Sequence, residues 1–391
     1  MSKYSREGSA CQHTARTCFV GPSSGKSAVA SLRVKISASF LRAVSDRAMS
    51  TIGTHSGAFQ ADEALGVWML RRLPQYANSL LVRTRDLEKL KPLTIVIDVG
   101  GTYDHDVLRY DHHQRGFFET FDGANKAAKD GGRPDVTGPE KATGEFKTKL
   151  SASGLVYKHY GRELIAALHP SLRSSPEKIE WVYKRMYIEF MEGIDANDNG
   201  IEIADTTRYR ETTTLPSRVH RLNAPWNAPK DGPTEDERFA QASSLCGEEF
   251  ASALAHLVDV ELPARDVVEA ALLARNGVDP SGEILCLTSG GCPWKTHLYE
   301  LERAHAVPKP VKFVLYEDSS GMWRVQAVTV EGTAFTNRLG LLEKWRGVRD
   351  AELVAVSGIA GAKFVHASGF IGGNATFEGA KQMALASMAA Q

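Results

Sequence analysis

Tyr110-Asp111-His112-His113 follows the β-like run Val107-Leu108-Arg109 and precedes the polar pair Gln114-Arg115. An acid joined directly to two imidazoles is costly to bury without partners. The same three groups suit a divalent metal, and residues at a strand end can turn together into one cleft. A solvated polar loop after a strand would look the same. The meaning of the motif therefore rests on what stands at the other strand ends.

Leu93-Thr94-Ile95-Val96-Ile97-Asp98-Val99-Gly100-Gly101 reads as a strand buried on both faces, as in a parallel sheet, with Asp98 interrupting its apolar run. An aspartate there either caps a turn or ligates a metal at the carboxyl edge of an α/β sheet, where such folds place their sites. Ser50-Thr51-Ile52-Gly53-Thr54 is a second expected strand, ending at His55, and Leu80–Thr84 is a third. Acids or imidazoles thus follow three expected strands and converge on one sheet edge. Asp62 and Glu63 open an apolar helix through Leu65, Trp68 and Leu70, and the helix macrodipole alone accounts for acids in that position. Ser175-Pro176-Glu177 starts another helix, with Ile179, Val182, Met186 and Phe190 at helical spacing. It runs into Asp195-Ala196-Asn197-Asp198-Asn199-Gly200, where aspartates oppose the macrodipole unless a cation is near, although Asp-Asn-Gly is also turn chemistry. Lys149 and Ser151 stand where either phosphate binding or plain capping of the next helix is expected.

The chain has 391 residues, formal net charge +0, 42% hydrophobic and 24% charged residues. That is room for two domains of a globular protein, and neutrality argues against a generic electrostatic DNA coat. No apolar run reaches the roughly 18 residues of a membrane-spanning helix. Five cysteines without a C-x-x-C pair argue against a zinc finger or disulfide framework and for a reducing compartment. Residues 1–49 are basic and serine-rich, with Arg16, Lys26, Arg33, Lys35 and Arg42 facing only Glu7 and Asp46 as acids. That composition suits a mitochondrial transit peptide or an extension with no address, with nuclear or cytosolic residence as further expectations. Gly21-Pro22-Ser23-Ser24-Gly25-Lys26-Ser27 is one residue short of a phosphate loop and is set aside. The segment from Asp122 to Glu145 reads as a surface loop.

Four segments follow: an extension over 1–49, a metal-binding domain over 50–233, a helical linker over 234–278 and a second domain over 279–391. In the last, Glu283–Leu287, Val311–Tyr316, Trp323–Val328 and Lys363–His366 are expected strands, and Phe377–Ala390 a closing helix. Gly372-Gly373-Asn374 reads as a loop that lets backbone approach a ligand, or as a plain turn.

Taken together, Ile52–Gly57 with Asp62-Glu63-Ala64-Leu65, Asp98-Val99-Gly100-Gly101, Arg109–Arg115 and Asp195–Gly200 resemble the Myg-type exonucleases of the DHH phosphoesterase superfamily. Cys292-Pro293-Trp294-Lys295, Trp323–Val328, Trp345-Arg346-Gly347 and Gly369–Asn374 extend the resemblance to the C-terminal half. It implies an α/β fold: a DHH-type parallel-sheet N-terminal domain, a smaller α/β substrate-binding domain and a cleft between them. It implies two divalent ions, Mn2+ or Mg2+, and hydrolysis of single-stranded RNA or a short oligonucleotide from the 3′ end. His55 and Asp98 would hold one metal, Asp62, Asp98 and His113 the other, with Asp98 bridging and Asp198, or else Asp195, completing the second site. His112 would be an inner imidazole nearer the substrate, so that Asp98, His112 and His113 form the catalytic group. Arg324, His366, Gly372, Gly373, Asn374 and Lys295 would recognise substrate, with Arg338 and Arg346 as weaker candidates. The family usually has histidine where this chain has Gln60, a weaker ligand. That departure keeps open a non-catalytic RNA-binding pseudoenzyme, beside a small-molecule phosphatase or pyrophosphatase.

Overall fold

The computed structural model describes residues 49–124 and 146–390. The N-terminal segment up to residue 48, with the near phosphate loop, Cys11 and Cys18, and all but the start of the Asp122–Glu145 loop lie outside the described residues.

The first sheet is built from β1 (Thr51–Thr54), β2 (Leu80–Arg83), β3 (Ile95–Ile97), β4 (Tyr103–Asp104) and β5 (Arg109–Tyr110) in the order β2-β1-β3-β5-β4. β2, β1, β3 and β5 are parallel, and β4 is an antiparallel edge. The expected strand over 93–101 is shorter than its apolar run suggests: it stops at Ile97 because Asp98 takes a positive φ of 57°, which no strand accommodates. A short hairpin follows, β6 (Glu119–Thr120) with β7 (Gly123–Ala124).

Helix Ala61–Arg71 is buried from Ala61 to Leu70, on all sides. An element apolar all round must be enclosed, and here helices Ala152–Leu168 and Glu235–His256 enclose it. Gly247 permits a close approach, since a Cβ there would collide with the Trp68 indole. The segment 234–278 is more than a linker. Its front helix puts Phe239 and Phe250 into the first core, while Val268 and Leu272 of helix Leu262–Val278 pack with Leu285 and Leu287 of the second half.

The second sheet contains β8 (Ile284–Leu287), β9 (Phe313–Glu317), β10 (Trp323–Ala327), β11 (Ala362–Val365) and β12 (Ile371–Asn374), ordered β11-β12-β10-β9-β8. Only β8 with β9 is parallel. Gly372-Gly373-Asn374, expected as a loop, is instead an interior strand. The glycines are there for packing: a Cβ on Gly372 would come 2.9 Å from Leu341 and one on Gly373 2.7 Å from Phe364. The halves meet where Trp181 of helix Pro176–Met186 donates to Glu300 of helix Lys295–Ala304 at 3.1 Å.

Candidate metal centre

The carboxyl ends of β1, β3 and β5 lie side by side, so His55, Asp98 and Asp111-His112-His113 emerge on one edge of the sheet. Asp111 ties two of these ends together. Its Oδ2 accepts from the Gly101 N–H at 2.6 Å, and its Oδ1 accepts from the His113 N–H at 3.1 Å and lies 2.7 Å from His113 Nδ1. The loop after β1 is clamped from the other side. The Asn223 amide accepts from the Phe59 N–H and donates to the Phe59 carbonyl, both at 2.9 Å, and Glu235 accepts from the Gly57 N–H at 2.7 Å.

Asp98 is the common neighbour. Its Oδ2 is 3.3 Å from His55 Nε2, and its Oδ1 is 3.4 Å from His112 Nε2 and 3.7 Å from His113 Nδ1. His55 Nε2 also lies 3.0 Å from Glu63 Oε1, and His112 Nε2 lies 3.0 Å from Asp198 Oδ2. Three overlapping groups result: His55, Glu63 and Asp98; Asp62, His112 and Asp198; and Asp98, His112 and His113. Despite these short separations, Asp98 Oδ1 and both His112 ring nitrogens are buried without a well-directed hydrogen bond. Buried polar atoms left in that state are costly unless something else fills their valence. A divalent cation between carboxylates and imidazoles does so, and this mixed donor set suits Mn2+ or Mg2+ better than a soft metal. The residues therefore fit the group that the resemblance implies.

Burial opposes charge on His55 and His112, yet the surrounding carboxylates outweigh it: Asp98 and Glu63 raise His55 to about 10, and Asp198 and Asp98 raise His112 to about 10. Asp98 is held below the usual carboxylate range by His112 and His55 against its burial. Burial, then the nearby Asp198 and Asp98 charges, pushes Asp62 well above that range, and burial raises Glu63. A cation on the same nitrogens displaces their protons.

Asp62 is held by the start of helix Ala152–Leu168. It accepts from Ser151 Oγ at 2.5 Å, Ser153 N–H at 2.6 Å and Ala152 N–H at 3.2 Å. Ser151, weighed above as a phosphate contact, caps this helix by accepting from the Gly154 N–H. Asp195 is spent on the same scaffold, accepting from Ser151 N–H at 3.0 Å and Tyr187 OH at 2.9 Å with Ser151 Oγ 2.7 Å away, while Asp198 faces the cluster. Both histidines of the motif lie within one candidate group with Asp98, but they differ in burial. His112, with its side chain 4% exposed, sits with Asp62 and Asp198, whereas His113, 63% exposed, stands at the rim against Asp111. β5 ends at Tyr110, and beyond it the Asp111 carboxylate holds His113 through its N–H and Nδ1 while His112 turns inward.

Gln60 is exposed, lines the pocket, and gives its backbone N–H to both Glu63 carboxylate oxygens at 3.0 and 3.1 Å. Glu63, read from sequence as a mere helix-start acid, is the residue that reaches His55. Arg85 was not anticipated either. It lines the pocket and donates to the Ser56 carbonyl at 3.0 Å, with Nη2 3.1 Å from His55 Nδ1. A basic residue just after an expected strand was the available signal. Lys149 is half-buried beside the His112 carbonyl.

The pocket, about 360 Å³, is lined from His55 to Asp198 by the first half alone. The expected C-terminal contributors are engaged elsewhere. Asn374 donates to the Ala360 carbonyl, Arg324 pairs with Asp318 at 2.5 Å, His366 packs exposed against Phe370, and exposed Lys295 lies over Trp294. Gly372 and Gly373 are interior strand residues. Arg338 pairs with Glu302, and Arg346 donates to the Leu341 carbonyl.

Residues 51–388 match the MYG1_exonuc family model, described as "Uncharacterised protein family (UPF0160)". The chain is 48% identical to the MYG1 exonuclease of Homo sapiens over 342 residues, covering 86% of this chain and 85% of that protein. The MYG1 exonuclease of Bos taurus is equally similar, at 48% identity over 86% of this chain and 84% of the relative. A MYG1 protein of Saccharomyces cerevisiae is 40% identical over 86% of this chain and 95% of its own length. RecJ of Thermus thermophilus in complex with Mn2+ overlaps over 86% of this chain and 52% of its own, at 14% identity and a TM-score of 0.22, too little to bear on the fold. A match spanning both sheets, with His55, Asp98 and Asp111-His112-His113 inside it, makes this chain a member of the MYG1 exonuclease family.

Proposed function

We propose that this protein is a metal-dependent phosphodiester hydrolase, an exonuclease that removes nucleotides from the 3′ end of single-stranded RNA. The observation that carries the reading is Asp98, whose two oxygens face His55 on one side and His112 on the other while Oδ1 has no hydrogen bond. That is the posture of a carboxylate shared by two ions. His55, Glu63 and Asp98 would hold one, and Asp62, Asp98, His112 and Asp198 the other. Two such ions, Mn2+ or Mg2+, supply polarisation of a phosphoryl oxygen and activation of water at neutral pH. His113, oriented through Nδ1 by Asp111, presents its other nitrogen at the pocket rim to pass a proton to the leaving oxygen. Arg85 is placed to meet a non-bridging phosphate oxygen.

The pseudoenzyme alternative rests on Gln60 as a weak ligand. Glu63, 3.0 Å from His55, offers an anionic donor in its stead and supports catalysis. Purified protein with Mn2+ is expected to shorten 5′-labelled single-stranded RNA stepwise and release mononucleotides. Failure to cleave RNA, short oligonucleotides or a simple phosphodiester would sink the reading, and cleavage of phosphomonoesters alone would favour the phosphatase. The basic, acid-poor residues 1–49 support mitochondrial delivery, which a fluorescent fusion of that segment checks.

A further inference from the structure

A second cavity of about 590 Å³ shares Gln60 and Asp198 with the metal pocket. Its size falls within the roughly 300–1,000 Å³ of ligand sites. Its outer wall is the segment between helices Glu192–Asp198 and Glu235–His256, which contributes Arg210, His220 and Arg221 together with Thr212 and Ser217. Among the described residues, Asp198 is the one acid lining it, and Asp198 already faces His112. Arg210, His220 and Arg221 have no carboxylate partner among the described residues. Arg221 Nη1 donates to the Thr212 carbonyl at 2.7 Å, which fixes the guanidinium and leaves its other N–H groups for a ligand. By contrast, Arg218 of the short helix Leu215–His220 is paired with Glu249 at 2.7 Å and is absent from the lining. The wall is anchored to the metal loop, because the Asn223 amide bonds both backbone groups of Phe59, next to Gln60.

We infer that this cavity is a subsite for the phosphodiester backbone of a single-stranded nucleic acid, holding the nucleotide next to the one at the metals. The phenyl ring in the lining, Phe59, is buried and offers no face for a base to stack on. Unpaired basic groups beside hydroxyls then fit a backbone read without regard to sequence. The inference rests on the phosphodiester reading of the metal centre. It makes the preferred substrate an oligonucleotide, and Gln60 a residue at the junction between the scissile and the neighbouring phosphate.

The test is Arg210→Ala with Arg221→Ala in the full-length protein, beside the double lysine variant. Wild type and variants are assayed with Mn2+ on a single-stranded oligonucleotide and on bis(4-nitrophenyl) phosphate, which has no second phosphate. Binding of the labelled oligonucleotide is followed separately by anisotropy in EDTA. The alanine pair is expected to raise the oligonucleotide KM at least tenfold with kcat unchanged, to leave the small ester untouched, and to lower the salt slope of binding by about 1.4. The lysine pair should recover most of the affinity. Unchanged oligonucleotide affinity in the alanine pair overturns the subsite. If wild type cleaves neither substrate, the metal-centre reading fails by itself, and the anisotropy in EDTA still decides the cavity.

Discussion

Each sheet buries a polar residue where a strand ends, Asp98 after β3 and Asn374 at the end of β12, and the two are treated differently. Both side-chain polar atoms of Asn374 have partners: its amide donates to the Ala360 carbonyl at 3.0 Å, and its oxygen accepts from the Thr376 N–H at 3.0 Å. Asp98 sits at a positive φ, between two imidazoles, with Oδ1 unbonded. A buried polar group whose valences are all filled holds the fold. One whose valences are left open, at a cost, marks where a ligand acts.

The sharpest way to break that comparison is to remove both residues in turn. Asp98→Ala should abolish calorimetric Mn2+ binding and lower phosphodiester hydrolysis at least a thousandfold, with folding retained by circular dichroism. Asn374→Ala should keep both and lose about 1–3 kcal/mol of stability in urea unfolding. If Asn374→Ala lost the metal instead, the division of labour between the sheets would be wrong.

Asp195 and Asp198 repeat the comparison within one helix. Gly154 leaves the space that Asp195 occupies, because a Cβ there would collide with its carboxylate. Gly154→Ala should therefore destabilise by about 2–3 kcal/mol through displacement of a buried, bonded carboxylate, whereas Asp198→Asn should cost metal affinity with little change in melting temperature. Glu63 and Gln60 give a third pairing. Glu63→Gln is expected to weaken Mn2+ binding about 10- to 100-fold, and Gln60→His to strengthen it. An unchanged Mn2+ isotherm for Glu63→Gln would remove Glu63 from the ligand set.

The smallest effect concerns imidazoles without acids around them. Burial, then His105 and Lys158, pushes His159 down to about 4, the opposite of His112. The unfolded chain takes up this proton near pH 6.5 and the folded protein only near 4, so the contribution is whole above pH 6.5 and is lost as pH falls to 4. After allowance for solvent screening it is about 1–2 kcal/mol. His159→Gln should flatten the stability-against-pH curve over that interval.

The sequence by itself determined much of this protein. Ile95-Val96-Ile97 is an apolar run cut by Asp98, and Ile52-Gly53-Thr54 a short, partly β-branched run before His55, so local pattern announced strands with an acid or imidazole at their carboxyl ends and left open whether each caps a turn or meets a metal. The ordered blocks carried the family. Only the tertiary structure decided which side chain does what. Beyond the end of β5, Asp111 held His113 at the rim while His112 turned inward to Asp198, and helix Ala61–Arg71 aimed Glu63 at His55 while Gln60 faced solvent. Gly372-Gly373-Asn374 has the composition of a ligand loop, yet close packing against Leu341 and Phe364 made it an interior strand. The second cavity depends on Asn223 meeting Phe59 across 164 positions of sequence. Periodicity is local and is written residue by residue, whereas the direction of a buried side chain is set by neighbours distant in sequence, which no local pattern encodes.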